Sequence, residues 1–187
     1  MSGRFQSTRT PIEGLILLKR QRLSDARGHL SRLFDAEGMA GFGWTAGIAQ
    51  VNETVTLSKG TVRGFHFQSP PFAEAKLVTC LRGTVLDVAV DIRKGSPTFL
   101  WHYAAELSDE NMHSLLIPAG FAHGFQALTD DVQLLYAHSA PYRAEAEGGL
   151  NPLDKTLNIS WPLPVVHLSP RDQNHPMIDA RFEGIAP

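Results

Sequence analysis

Between residues 60 and 93 polar positions punctuate short apolar runs of strand length, interrupted at two turns. The pattern predicts strands over 61–68, 76–81 and 84–92. Ser69-Pro70-Pro71 closes the first, because proline lacks the ladder donor and restricts the residue before it. Arg82-Gly83 turns the second strand back, and read as a two-residue hairpin it sets a register with the third. Leu81 then faces Thr84, Val78 faces Asp87 and Lys76 faces Ala89. Lys76 and Asp87 become diagonal neighbours on one otherwise apolar face. Burying one such charge alone costs on the order of 3–5 kcal/mol, so both are expected to be paired, hydrated or at work. This face is the candidate site.

The same reading predicts strands over 12–20, 29–34, 44–56, 99–107, 114–117, 122–128 and 132–138. Short helices are expected over 35–43 and near 169–173. About ten short strands punctuated by turns, with few helical periods, indicate an all-β sandwich or barrel. The 16 Gly and 12 Pro fit that density of turns. A doubly wound α/β fold is disfavoured, because no amphipathic helices of about 10–15 residues separate the strands. With 187 residues, 43% of them hydrophobic, the chain can bury a core and reads as one domain over 1–187, with an irregular C-terminal segment.

A formal net charge of -2 supplies no global field for nucleic acid or an acidic membrane, although a few local Arg and Lys suffice for a small anion. Cys80 is the single cysteine, so no intrachain disulfide forms, in keeping with a reducing compartment. The apolar run from Gly14 to Leu18 is too short for a signal peptide, and no run approaches the ~20 residues that span a bilayer. A cytoplasmic location is expected.

His66 stands in Arg63-Gly-Phe-His-Phe-Gln68. A histidine taken at random is most often a core residue satisfied by a carbonyl. Here Phe65 and Phe67 point away from it, and Gly64 allows a bulge that brings Arg63 into the same cavity. An imidazole with a reference pKa of about 6.5 suits proton abstraction at neutral pH. Metal ligation is the weaker reading: Gln68 occupies the place of the second imidazole in a His-X-His pair, and although His123 could supply a second nitrogen, no Glu or Cys stands at a matching spacing. Nucleophilic catalysis through Cys80 lacks an assignable partner, and no Gly-rich phosphate loop precedes a helix. Tyr136 and Asp172, read singly, are a strand tyrosine and a turn carboxylate.

Taken together, several segments resemble one family. Arg63-Gly-Phe-His-Phe-Gln-Ser-Pro-Pro71, Lys76-Leu-Val, Gly83-Thr-Val-Leu-Asp-Val-Ala-Val-Asp-Ile-Arg93 and Ile117-Pro-Ala-Gly-Phe-Ala-His-Gly-Phe125 occur in order, followed by Ile159-Ser-Trp-Pro162. The chain resembles the dTDP-4-dehydrorhamnose 3,5-epimerases, over nearly its whole length. The resemblance implies a cupin-type jelly roll, a homodimer and no metal or organic cofactor. It implies epimerisation of a nucleotide-linked 4-keto-6-deoxy sugar through an enolate. His66 would be the base, oriented by Asp172, with Lys76 beside the C4 oxygen and Tyr136 the proton donor on the other face. Asp87 and His123 would support the sugar, and Arg63 the diphosphate. Gln50, Asn52 and Gln68 match ligand-contacting positions, and Arg27 matches an arginine reaching across the dimer.

The sequence departs from the family pattern where the nucleotide is held. Leu30 and Arg32 replace an aromatic and an acid, and Pro152-Leu-Asp154 stands where Trp-Asn-Asp is common. These changes open the choice to CDP or GDP as well as dTDP. A monofunctional 3- or 5-epimerase and a non-catalytic sugar-nucleotide-binding cupin are the alternatives.

Overall fold

The computed structural model describes residues 3–186. Two antiparallel sheets face each other. The six-stranded sheet runs β1 (Phe5–Arg9), β2 (Ile16–Arg20), β10 (His113–Ile117), β7 (Lys76–Arg82), β12 (Val132–His138) and β5 (Gln50–Thr56). The five-stranded sheet runs β13 (Glu147–Gly149), β6 (Val62–Gln68), β11 (Phe121–Ala127), β8 (Thr84–Asp91) and β9 (His102–Ser108). A separate ribbon pairs β3 (Arg22–Asp25) with β4 (Gly28–Ser31). The short helices α1 (Ala36–Ala40) and α2 (Pro170–Gln173) lie inside the predicted segments, and Ser169 caps α2 by accepting from the Asp172 N–H. No helix among the described residues is long and apolar enough to cross a membrane.

Three apolar layers hold the sheets. Val78, Cys80, Val85, Ala89, Leu107, Leu115, Phe125 and Leu134 fill the interior between them. Phe65, Phe67, Val88, Val90 and Ile92 lie on the outer face of the five-stranded sheet, under Trp161, Ile178 and Phe182 of the C-terminal segment. Leu18, Leu77 and Leu116 lie on the outer face of the other sheet, under Met39 and Trp44. Central strands are therefore buried on both sides, which explains runs such as Val88-Ala-Val90 with no exposed position.

The expected hairpin between β7 and β8 does not form. β7 pairs with β10 and β12, whereas β8 pairs with β9 and β11, so Arg82-Gly83 carries the chain from one sheet to the other. A tight glycine turn serves either connection, and strands buried on both faces need neighbours on both edges. Lys76 and Val78 nevertheless look into the same interior as Asp87 and Ala89, because both inner faces do. Their pairing is corrected accordingly: Lys76 meets Glu74, and Asp87 meets His123.

The bulge expected at Gly64 is present. Between the pairs His123–His66 and Phe125–Arg63, β6 uses one residue more than β11. Without that extra residue Arg63 would share the outer face with Phe65; with it, Arg63 turns inward beside His66. Gly64 has φ +122, and a Cβ there would come within 2.8 Å of the His123 carbonyl oxygen. Strand β1 was not legible, since only Phe5 of its five residues is buried, nor was β13, which ends in two glycines. The segment 44–49 is a loop, and the predicted strand over 44–56 begins at Gln50.

Candidate active site

At one end of the sandwich the two sheets open on a cavity of about 270 Å³. β5, β7 and β12 contribute Gln50, Asn52, Lys76, Tyr136 and His138 to one wall; β6 and β11 contribute Arg63, His66, Gln68 and His123 to the other. Each set follows the inward parity of its strand, apart from Arg63, which the bulge redirects.

His66 is fixed by a carboxylate. Its Nε2 lies 2.7 Å from Asp172 Oδ1, and Asp172 is buried to 2% exposure. Burial pushes the Asp172 carboxyl up, but the hydrogen bond and charge of His66, with the Gly64 N–H and Ser169, hold it below the usual value. An ionised Asp172 makes Nε2 the donor, which leaves the free lone pair on Nδ1. Arg171 Nη2 stands 3.0 Å from the same Nε2 and adds only its charge, because no lone pair remains there.

Lys76 is buried at 7% exposure. Its Nζ lies 3.1 Å from Glu74 Oε1 and donates to the His66 carbonyl at 3.1 Å. Gln68 donates to Glu74 Oε2 and to the Phe72 and Pro141 carbonyls, while its own oxygen accepts from the Arg143 N–H. Its amide thus serves the protein at both ends, steadying the Glu74 that pairs with Lys76.

Tyr136 is buried, with its ring edge-on to His123 and stacked on His138. Burial, then the Asp87 carboxylate, raise its phenol well above the ordinary value, so it carries its proton at neutral pH. Asp87 does not line the cavity; it stands behind His123, with Oδ1 2.7 Å from His123 Nε2. Arg63 donates to Thr56 Oγ1 and the Val55 carbonyl, and the Gln50 amide donates to Asn52.

Arg27 stands apart on the β3–β4 ribbon, 90% exposed and paired with Asp25. Leu30 lies on the same ribbon, and Arg32, just past β4, pairs with Asp35. Pro152 is buried and accepts from Trp161 Nε1. None of these four lines the cavity.

Reading from sequence missed His138, Glu147 and Arg171, which do line it. His138 follows Tyr136 by two residues and was legible by parity alone. Burial, followed by Lys76 and His123, lowers its pKa from 6.5 to about 4. The unfolded chain thus binds a proton that the folded chain refuses, so the His138 contribution should lower stability as pH drops from 6.5 toward 4 and level off below. His138→Gln should reduce that slope in urea midpoints measured against pH; an unchanged slope would remove His138 as its source.

A jelly roll holding a carboxylate-bound imidazole opposite a protonated phenol, with a buried ammonium beside them, is an arrangement suited to proton transfer. The profile of the dTDP-4-dehydrorhamnose 3,5-epimerase family matches residues 9–180, and the chain belongs to that family. A relative from Sinorhizobium fredii, a dTDP-4-dehydrorhamnose 3,5-epimerase, is 43% identical over 93% of this chain and 89% of its own. A dTDP-4-dehydrorhamnose 3-epimerase of Streptomyces niveus is 38% identical over 94% of this chain and 86% of its own. The crystal structure of a dTDP-6-deoxy-D-glucose-3,5-epimerase from Legionella pneumophila, in complex with dTDP-4-keto-L-rhamnose, superposes with a TM-score of 0.91. It is 37% identical and covers 98% of this chain and 99% of its own.

Proposed function

We propose that the protein epimerises a dTDP-linked 4-keto-6-deoxyhexose at the carbons flanking the ketone. The observation that carries this reading is the placement of His66 and Tyr136 on opposing sheets across one cavity. Inversion needs a proton taken from one face of the sugar and returned to the other. His66 Nδ1 removes the proton next to the ketone, and Asp172 stabilises the imidazolium that results. Lys76 stabilises the enolate oxygen, and a preorganised charge of this kind typically lowers the barrier by ~3–4 kcal/mol. Tyr136 delivers a proton from the opposite side. His123, held by Asp87, packs on the Tyr136 ring and supports the sugar. Arg63, with Gln50 and Asn52, contacts the diphosphate end, where a guanidinium fork suits phosphate oxygens. No step calls on a metal or organic cofactor.

Incubation with dTDP-4-keto-6-deoxyglucose in heavy water, followed by NMR, tests the reading. Deuterium at two carbons marks a 3,5-epimerase and at one carbon a monofunctional enzyme; none, in folded protein, would sink the proposal. CDP- and GDP-linked sugars run in parallel decide the base. In Tyr136→Phe, inversion should fall by ~10²-fold or more while exchange persists, because a proton can still return from the His66 side. Equal loss of both would argue against a dedicated opposite-face donor.

The reading extends to a homodimer. It is supported by the exposed Leu23 and Leu30 of the ribbon and by Val51 and Val55 on the edge strand β5. Sedimentation at the monomer mass of 20.5 kDa alone would refute it.

A further inference from the structure

His175 has no part in the proton-transfer scheme, yet it stands beside the base. Its Nε2 is buried with no hydrogen-bond partner among the described residues, and it lies 3.9 Å from Asp172 Oδ1. The rings of His66 and His175 meet edge to face at 6.0 Å. A side chain at Gly149 would occupy the space of the His175 ring, so that glycine leaves room for the imidazole. His66, Asp172 and His175 each offer one ligand atom, and these atoms all lie within 4.8 Å of one another.

We propose that these three atoms form an inhibitory site for a divalent transition cation of the zinc type. Two imidazole nitrogens and one carboxylate oxygen make an N2O set that favours Zn²⁺, Co²⁺ or Ni²⁺ over Mg²⁺ or Ca²⁺, which prefer all-oxygen ligands. Zinc bonds of about 2.0–2.2 Å in a tetrahedron separate donors by roughly 3.3–3.5 Å. The two imidazole-to-carboxylate separations of 2.7 Å and 3.9 Å bracket that value, and ring rotations that draw the two imidazoles together complete the set. The His66 side chain is 27% exposed on the cavity side, which leaves a water access to the fourth position. Arg171 is the obstacle: it pairs with Glu147 and lies 3.7 Å from Asp172 Oδ1, and its 53% exposed side chain has room to turn toward solvent when a cation takes its place.

The consequence follows from tautomerism. A cation on Nε2 takes that lone pair, so the ring's remaining proton moves to Nδ1. The nitrogen that should accept the sugar proton then carries one. Binding at this site switches the base off without engaging Lys76 or Tyr136. This inhibitory role rests on the proposed function; the binding itself does not.

Cobalt chloride titrated into the whole protein, followed by visible absorption, tests the site, with zinc chloride calorimetry beside it. One cation per chain with tetrahedral cobalt bands is expected. His175→Ala and His175→Gln should each weaken binding by about tenfold or more. Absence of binding, or equal binding in wild type and both variants, would overturn the site. In the exchange assay, zinc should inhibit wild type and spare the His175 variants. A wild-type protein without exchange in chelator-treated buffer would speak against the epimerase reading alone, because the cobalt titration still decides the site.

Discussion

Replacing His66 by alanine should abolish solvent exchange at every carbon the enzyme serves, with kcat/KM falling by ~10³–10⁴-fold. A positioned general base is worth ~10²–10⁴-fold, and the upper end is expected because the other imidazoles of the cavity, His123 and His138, pack against the Tyr136 ring. His138 lies on the opposite sheet, and His123 is tied through Nε2 to Asp87. The fold should survive, since His66 belongs to none of the apolar clusters. The measurement is deuterium incorporation by NMR, with a urea curve as control. Exchange at a tenth of the wild-type rate or more would transfer the role of base to another group.

Lys76→Met should cost both catalysis and stability. Loss of the enolate partner should lower kcat by ~10²–10³-fold, the effect of removing one preorganised oxyanion donor. Glu74 would then lie buried without its ammonium, and an orphaned partner of a buried ion pair typically costs ~3–5 kcal/mol. The two effects separate in the double variant Lys76→Met/Glu74→Gln. Neutralising Glu74 removes the orphaned charge and leaves an amide able to accept from Gln68, so the urea midpoint should recover while activity stays low. Recovery of activity in the double variant would mean that Lys76 acts only by neutralising Glu74.

Residues 62–68, 76–82, 84–91, 121–127 and 132–138 were legible as strands because their polar and apolar positions alternate or run apolar without break between turn residues. The bulge at Gly64 was legible for a related reason: an arginine and a histidine three apart share a face only if one residue is extra. Edge elements escaped. Strand β1 buries one side chain and β13 carries two glycines, so neither leaves a pattern.

Which strands would pair was not legible, and there the hairpin reading of Arg82-Gly83 failed. Alternation says which side chains share a face of their own strand, not which sheet that strand joins. The assignment of Lys76 and Asp87 to one interior survived because two sheets packed face to face turn their inner faces to the same space. Their partners did not survive, since partners depend on the neighbouring strand.

The sequence by itself determined the all-β class, the polar residues of the inward face and, through its resemblance, the family. These are local or collinear properties, and a period or a motif carries them. The pairing of Asp172 with His66, 106 residues away, came from the sequence only through that resemblance, and the tertiary structure gives it a distance of 2.7 Å; only the tertiary structure decided that Glu74 rather than Asp87 answers Lys76. It alone brought the unpartnered nitrogen of His175 beside the base. Such contacts arise when a C-terminal segment without periodicity folds over a finished sheet. Burial then selects, among many polar residues, the ones that must find each other.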